Sequence, residues 1–355
     1  MSPTKRIEYI DALRGFTMIL VVSVHIYSLC FMQGNAKEYD LSFNNFFGLF
    51  RMPLFFFISG FVFYKTDRYW NFKTIKEFIT SKIRVQLIST FLFLLMFCVL
   101  YQKGIYNALF DNQKAGYWFT YILFAYFILY IAIDKTICYW GQKTAFSNIT
   151  IATSLIIGLF VYHFVNNGYL LNIFSPNLTN LLSISKLQYF LFFSFGCFSH
   201  IYYNYFIKFQ TIKNINGGML LFFTFIAFCI FYQNNNGTFI TNNSILALFA
   251  ALLGIILAMS IFKANENRLS SSTKLGKYLQ FIGKRTLDIY FLHYFFLPYN
   301  MPFVGNFFAL YPNPLLEFCL SIALTFIVIL CCLFTSRIIR MSPLLAHFLL
   351  GKKDI

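Results

Sequence analysis

Charged residues are scarce in this chain of 355 residues, and acidic residues are the scarcest of them. Only 11% of the residues are charged, and 12 acidic residues stand against 28 lysines and arginines. A soluble domain of this length carries far more charge. Because 59% of the residues are hydrophobic and 22% are aromatic, the composition predicts a polytopic membrane protein.

Three further absences narrow the class of protein. The eight cysteines form no Cys-x-x-Cys or Cys/His spacing, so we expect neither a disulfide framework nor a metal site. No Pro/Gly/Ser-rich linker and no repeat divides the chain, which predicts one domain over residues 1–355 without a separate soluble domain. We expect no cleavable signal peptide, because Asp11 and Arg14 interrupt the start of the first apolar run.

Ten apolar segments are long enough to cross a bilayer, which predicts an all-α bundle of about ten transmembrane helices. The predicted spans are 12–32, 43–64, 85–101, 117–134, 145–165, 184–206, 216–233, 243–263, 286–308 and 314–336. With the N-terminus inside, only Lys37, Lys103 and Lys114 fall in outer loops. The positive-inside rule therefore places both termini in the cytoplasm. The basic charge is explained by topology, so no nucleic-acid partner is predicted.

An ionisable side chain lies well inside the first predicted span. Arg14 precedes His25 by eleven residues. At about 100° per residue, this spacing places the two side chains within about 20° of the same helix face. Asp11 lies three residues before Arg14 and shares that face. Ionisable groups are costly within a membrane, so all three are candidates for function. The alternatives are a packing histidine and an ion pair at the membrane boundary. Glu317 and Asp288 are further acids within spans, without an assigned role.

Four segments carry a resemblance to a known family. Residues 6–15 contain Arg14, which is followed by His25 after ten intervening residues. Residues 52–61 read Met-Pro-Leu-Phe-Phe-Phe-Ile-Ser-Gly-Phe, residues 117–119 read Tyr-Trp-Phe, and residues 283–293 end in Tyr-x-x-His. Together they resemble the acyltransferase-3 family of integral membrane O-acyltransferases over essentially the whole chain.

The resemblance implies a function and a location. Members of this family move an acyl group, commonly acetyl from cytosolic acetyl-CoA, onto sugar hydroxyls of glycans at the outer face. It therefore implies an O-acetyltransferase for polysaccharide modification in the cell envelope, located as a multi-pass protein in the bacterial inner membrane. The implied partners are membrane lipid, acetyl-CoA and a glycan acceptor, with a second copy or glycan-assembly proteins as further partners. Some members of the family carry an additional hydrolase domain. We expect any such partner of this chain to be a separate protein. A transporter or exporter of a polar or glycan substrate is the alternative.

The resemblance also assigns roles near the predicted reaction centre. His25 would act as general base on the acceptor hydroxyl or as a transient acyl acceptor. Arg14 and Asp11 would orient the donor or the path to His25. Arg51 lies about as deep as His25 in the neighbouring antiparallel span, so the two are expected to face one cavity. Arg51 would bind the acceptor or stabilise the oxyanion, and a snorkelling arginine is the alternative.

Residues from several segments are predicted to contact acetyl-CoA, which is the only cofactor expected. They are Lys82, Arg84, Ser59, Tyr290 and His293. The family's paired arginines and proline in the first inner loop are replaced here by Ser-Lys-Ile-Arg, which keeps the charge. The alternatives are anionic lipid at the basic inner loops 65–84 and 263–285, close helix packing at Ser59, and a structural histidine.

Aromatic residues open the fourth predicted span at its outer end. Tyr117 and Trp118 are predicted to stack against the sugar of the acceptor. An aromatic belt at the membrane surface is the alternative explanation for both residues.

Overall fold

The computed structural model describes residues 7–31, 43–65, 70–139, 146–210, 215–233, 243–299 and 301–351. All regular structure in these ranges is helical and none of it is strand, which confirms the predicted all-α class. Both chain ends and two predicted outer loops, 33–42 and 234–242, lie outside the described residues. The predicted cytoplasmic position of the termini therefore stays a prediction.

The helices are numbered in chain order. The first ten are α1 Glu8–Ile26, α2 Phe43–Gly48, α3 Arg51–Phe63, α4 Phe72–Lys82, α5 Ser89–Leu100, α6 Ile105–Leu109, α7 Trp118–Tyr139, α8 Phe146–Asn166, α9 Tyr169–Ile173 and α10 Pro176–Leu181. The others are α11 Phe190–Ile201, α12 Tyr203–Gln210, α13 Ile215–Gln233, α14 Ser244–Ala264, α15 Lys274–Lys284, α16 Thr286–Phe296, α17 Pro302–Leu310, α18 Pro314–Ile339 and α19 Pro343–Leu350. Tyr27–Phe31 and Ile83–Ile88 are π-helical, and Lys114–Gly116 and Ile184–Tyr189 are 3₁₀-helical.

Seven helical segments within the described ranges are long and apolar enough to cross a membrane. They are Glu8–Phe31, Phe43–Phe63, Phe72–Leu100, Trp118–Ile137, Asn148–Asn166, Ser244–Ala264 and Pro314–Ile339. Large apolar side chains such as Val99, Leu100, Leu330 and Phe334 are mostly exposed on them. Exposed apolar surface on this scale fits a lipid environment, and the chain is an integral membrane protein. The seven segments overlap seven of the ten predicted spans, and the count of ten stays a prediction.

The ninth predicted span, 286–308, is wrong as a continuous helix. α16 ends at Phe296, and Leu297 has extended backbone angles. Pro298 follows it in the sequence. Proline disfavours the α conformation in the residue before it and cannot donate its own backbone hydrogen bond. The chain becomes helical again at α17, which has Pro302 in its first turn.

The two predicted inner loops are corrected to helices over much of their length. Asn71 and Thr74 cap the start of α4 reciprocally, and the helix continues through the π-helical turn into α5. Thr273 caps α15 by accepting a hydrogen bond from the backbone N–H of Gly276. Each segment contains four lysines, so the composition favoured a loop although the apolar residues recur at helical spacing.

The chain is divided into two compact units. The first comprises Met1–Phe55 and Tyr203–Thr335, and the second comprises Phe56–Tyr202 and Ser336–Ile355. The predicted single domain over residues 1–355 stays a prediction.

In the first unit, α1 and α15 approach each other at two glycines. A Cβ on Gly15 would collide with the carbonyl of Leu279, and a Cβ on Gly283 would collide with the carbonyl of Asp11. Small residues permit such close contact between helices in a membrane. The amphipathic α15 therefore packs its glycine-containing face directly on α1, which carries His25.

In the second unit, α3 and α11 show the same kind of contact. A Cβ on Gly60 would collide with the carbonyl of Phe193, and one on Gly196 would collide with the carbonyl of Phe57. The surrounding core is aromatic. The ring of Phe63, for example, packs on Phe127 and Phe193 with centroid distances of 4.9 and 5.4 Å.

A buried lysine joins two segments of the second unit that are predicted to lie on the outer side. Lys114 donates hydrogen bonds to the carbonyls of Leu109 and Asn180, at 3.0 and 3.1 Å. Burial lowers the pKa of Lys114 to about 8, although the carboxylate of Asp111 acts in the opposite direction. The residues before α7 are thereby tied to the segment that follows α8.

Candidate functional site

His25 lies against two aromatic side chains of α16 in the first unit. The rings of His25 and His293 are stacked, with 5.2 Å between centroids and an interplanar angle of 29°. The ring of Tyr294 lies 5.1 Å from His25 and 4.0 Å from His293. The structure therefore brings together His25 and His293, which the sequence analysis had assigned separately to catalysis and to donor binding.

Hydrogen bonds orient both imidazole rings. The hydroxyl of Tyr294 lies 3.1 Å from Nε2 of His25. Nδ1 of His293 lies 3.0 Å from the carbonyl oxygen of Ile289. Because a carbonyl only accepts, Nδ1 of His293 carries the hydrogen, and Nε2 of the neutral ring has the lone pair. That Nε2 atom has no hydrogen-bond partner among the described residues.

The three rings differ in their access to small molecules. His293 has 0% exposure and Tyr294 has 3%. His25 keeps part of its surface accessible although it lies well inside a membrane span. Of the three side chains, His25 therefore has the accessible surface, whereas His293 and Tyr294 are enclosed by protein.

Arg51 belongs to the same region of the first unit. Its Nη1 atom donates a 3.4 Å hydrogen bond to the backbone carbonyl of Asn44. The guanidinium also lies near enough to His25 for an electrostatic interaction. The structure thus places Arg51 and His25 in the same region of the first unit, and a shared cavity at equal depth stays a prediction. Whether Arg51 binds the acceptor or stabilises an oxyanion stays a prediction.

A buried polar network continues from Asn44 to α18. The Asn44 amide donates to Oε1 of Glu317 and to Oγ of Ser321, both at 3.1 Å. Ser23 donates to Oδ1 of Asn44 at 2.7 Å, two residues before His25 on α1. Glu317 is 1% exposed. An acid in an apolar span is a candidate for function. The sequence does not show that Glu317 shares a hydrogen-bond network with residues of α1 and α2.

Asp11 and Arg14 occupy the other end of α1. Arg14 lies about 16 Å along the helix axis from His25, and Asp11 lies farther. Asp11 is buried where α15 crosses α1, and Arg14 is half-buried. This separation is consistent with the predicted division of roles, in which Arg14 and Asp11 act on the donor or the path to His25 rather than on the same reacting atoms. A role in holding the donor stays a prediction.

Tyr290 and Tyr294 lie one helical turn apart on α16. Tyr290 is buried, and its ring centroid lies 6.2 Å from that of His293. Tyr290 was predicted to contact the donor, whereas Tyr294 was missed. The Tyr-x-x-His element directed attention to Tyr290 and His293, and the next residue, Tyr294, forms the hydrogen bond to His25.

The other predicted donor residues belong to the second unit. Lys82 lies at the end of α4, with Nζ 4.9 Å from the ring centroid of Phe127. Arg84 lies in the π-helical turn, and both side chains are half-buried. Ser59 is half-buried on α3 beside Gly60, where the close approach of α11 fits the packing alternative.

The predicted sugar-stacking residues also belong to the second unit and differ from each other. Tyr117 has 0% exposure and packs edge-on against Phe97, so it presents no ring face to a ligand. Trp118 is half-buried, stacked with Tyr189 at 5.9 Å and covered by Nζ of Lys186 at 4.8 Å. The stacking prediction is therefore corrected for Tyr117 and stays a prediction for Trp118.

Within the described residues, no group of three or more His, Cys, Asp or Glu side chains could hold a metal ion. The site consists of imidazole, phenol, guanidinium and buried polar groups. Such groups can move a proton and stabilise developing negative charge without leaving their hydrogen bonds.

These features define an integral membrane protein with a partly accessible, hydrogen-bonded histidine inside the membrane. Residues 7–334 match the family model of an acyltransferase domain. The chain therefore belongs to the acyltransferase-3 family, as its motifs predicted, and it is a membrane acyltransferase. No curated protein and no solved structure matches the chain.

Proposed function

We propose that this membrane acyltransferase transfers an acetyl group from cytosolic acetyl-CoA to a sugar hydroxyl of a cell-surface or lipid-linked glycan. The observation that carries the proposal is the position of His25. It is well inside a membrane span, partly accessible, and held by Tyr294 and His293. An ionisable group in such a position is costly, and acyl transfer supplies a reason for it.

The chemistry requires a base beside the thioester. The acceptor hydroxyl attacks the thioester carbonyl, His25 removes the hydroxyl proton, and the thiolate of CoA leaves. In a second route, His25 itself first takes the acetyl group and then passes it to the hydroxyl. Arg51 lies near enough to His25 for an electrostatic interaction, and it would stabilise the negative charge on the carbonyl oxygen in either route.

The donor and acceptor approach from opposite sides in this proposal. Basic residues of α4 and α15 lie on the predicted cytoplasmic side, where Lys73, Lys274 and Lys277 are exposed. Positive side chains suit the phosphates of CoA. A glycan would reach His25 from the outer side. Location in the bacterial inner membrane follows from the same proposal, because the acetyl donor is cytosolic and the product belongs to the cell envelope.

The test uses purified protein in lipid nanodiscs with radiolabelled acetyl-CoA and a panel of bacterial envelope glycans. We expect the wild-type protein to label at least one glycan and His25→Ala to lower the rate by about 10²-fold or more. His163→Ala is the matched control, because His163 is exposed and bonded only to the neighbouring Asn167 among the described residues. It should retain the wild-type rate.

Two results would contradict the proposal. The absence of wild-type transfer to every glycan in the panel would refute the acceptor class. Unchanged transfer by a folded His25→Ala variant would refute the role of His25. Rapid acid quenching separates the two chemical routes, since only the covalent route leaves label on the wild-type protein and none on His25→Ala.

A further inference from the structure

The hydrogen bond between Tyr294 and His25 determines which nitrogen of His25 can act as a base. The Tyr294 hydroxyl lies 3.1 Å from Nε2, and it is the hydrogen-bond partner that the described part of the chain provides to His25. Nε2 is therefore occupied by the protein, and Nδ1 is the nitrogen left for a substrate. A neutral imidazole carries one hydrogen and one lone pair. For Nδ1 to accept a proton, Nε2 must carry the hydrogen and donate it to the phenol oxygen.

The positive charge that His25 gains during the reaction strengthens a hydrogen bond from Nε2–H to the phenol oxygen of Tyr294. When His25 has taken a proton, both of its nitrogens carry hydrogen. The phenol oxygen of Tyr294 then must be the acceptor, and the bond becomes charge-assisted and stronger. Tyr294 is 3% exposed, so little water competes for its oxygen. The same contact is therefore compatible with the basic tautomer before proton transfer, and it stabilises the imidazolium after it.

His293 limits the motion of the His25 ring from another side. Its orientation is fixed by the hydrogen bond from Nδ1 to the carbonyl of Ile289. Its ring is stacked on His25 at 5.2 Å and is fully buried. A half-turn flip of the His25 ring would move Nε2 away from the Tyr294 hydroxyl and lose that hydrogen bond, and the described residues provide no other partner.

We propose that Tyr294 is a positioning residue that holds His25 with Nε2–H directed at the phenol oxygen, so that Nδ1 is the catalytic base. This inference rests on the proposed function and deepens it. The O–H bond of the acceptor breaks as its oxygen bonds to the acetyl carbon, and the proton passes to Nδ1. The tetrahedral adduct then breaks its C–S bond. The proton on Nδ1 passes to the departing sulfur, and Tyr294 neither gains nor loses a proton overall.

The test compares Tyr294→Phe with Tyr299→Phe in nanodiscs. Tyr294→Phe removes only the hydroxyl, and we expect kcat to fall about 10- to 100-fold with KM for acetyl-CoA within about two-fold. We also expect a changed pH profile of kcat, which a purely structural defect would not produce. Tyr299 donates its hydroxyl to the backbone oxygen of Tyr294 and serves as the control, with near wild-type kcat. In a His25→Ala background, Tyr294→Phe should cause no further loss.

A second measurement does not depend on acetyl transfer. In protein labelled with ¹⁵N-histidine, the signal that disappears in His25→Ala should show the hydrogen on Nε2, and Tyr294→Phe should shift it towards the other tautomer. An unchanged tautomer in Tyr294→Phe, or unchanged kcat in a folded variant, would overturn the inference. If the wild type transfers no acetyl group, the proposed function fails, and the tautomer measurement still decides the role of Tyr294.

Discussion

Buried polar residues connect helices of the first unit by hydrogen bonds near His25. Asn44 uses its side chain to bond Ser23, Glu317 and Ser321, and its backbone oxygen accepts from Arg51. Each buried polar group that loses its partner costs about 1–3 kcal/mol, because no water replaces the bond. Asn44 therefore connects α1, α18 and the start of α3.

Replacement of this amide tests that connection. We expect Asn44→Leu to lower the free energy of unfolding by about 1–3 kcal/mol, because Ser23, Glu317 and Ser321 each lose their hydrogen bond to Asn44 inside the protein. Thermal denaturation in nanodiscs measures the change. Asn265→Ala is the control, because among the described residues the amide of Asn265 bonds only the nearby carbonyl of Ile261, at an exposed site. Equal melting temperatures of the two variants would contradict the prediction.

Individual site residues were predictable to different degrees. His25 and Arg51 stand out because ionisable residues are rare in apolar spans. Tyr294 carries no such signal, since the chain has 24 tyrosines, and most suit a membrane interface as well. Its proposed role comes from one contact between residues 269 positions apart in the chain. Sequence spacing does not determine such a contact.

At the scale of elements, the contact between α1 and α15 depends on two glycines. The carbonyl of Asp11 occupies the place that a Cβ on Gly283 would need, and a main-chain carbonyl cannot move away independently. The helix would have to shift instead. Since α1 carries His25, we infer that this contact contributes to the position of the imidazole.

We expect Gly283→Ala to destabilise the protein by about 1–3 kcal/mol because the added methyl group forces the two helices apart. Gly218→Ala is the matched control in the same unit, since nothing lies within 4 Å of a Cβ at that exposed helical position. It should stabilise α13 by about 0.5–1 kcal/mol. Denaturation of both variants in nanodiscs provides the comparison. A Gly283→Ala melting temperature at or above that of the wild type would disprove the close contact.

The elements also show where pattern-based prediction fails. The first two spans end within a few residues of the predicted bounds, because long apolar runs between polar segments define their ends. The segment 263–285 was expected to be a loop, but it contains α15. The segment 286–308 was expected to be one helix, but it breaks after Phe296. In both segments the local composition was ambiguous, and packing or a proline decided the outcome.

At the scale of the whole molecule, charge asymmetry predicts the orientation in the membrane. Lysines and arginines are concentrated in the segments assigned to the cytoplasm, and the cost of moving them across a bilayer keeps them there. The family assignment covers residues 7–334 and supports an acyltransferase rather than a transporter.

Cysteine labelling on intact cells tests this orientation. We expect Asn172→Cys, on the predicted outer side, to react with a membrane-impermeant maleimide. Lys73→Cys should react only after the cells are permeabilised, because α4 lies on the predicted inner side. Both parent residues are exposed, so burial does not limit either reaction. The wild-type protein gives the background from native cysteines. If Lys73→Cys reacts on intact cells and Asn172→Cys reacts only after permeabilisation, the predicted orientation is wrong.

The sequence by itself determined the membrane class, most span positions and the family, and it directed attention to His25. These follow from composition, apolar length and local motifs, which need no knowledge of distant neighbours. Only the tertiary structure decided that His293 and Tyr294 contact His25, that Asn44 and Glu317 join Arg51 in one network, and that Tyr117 is buried. Those facts depend on how helices from distant parts of the chain pack, and the packing is set by glycine contacts and buried hydrogen bonds that no single segment reveals.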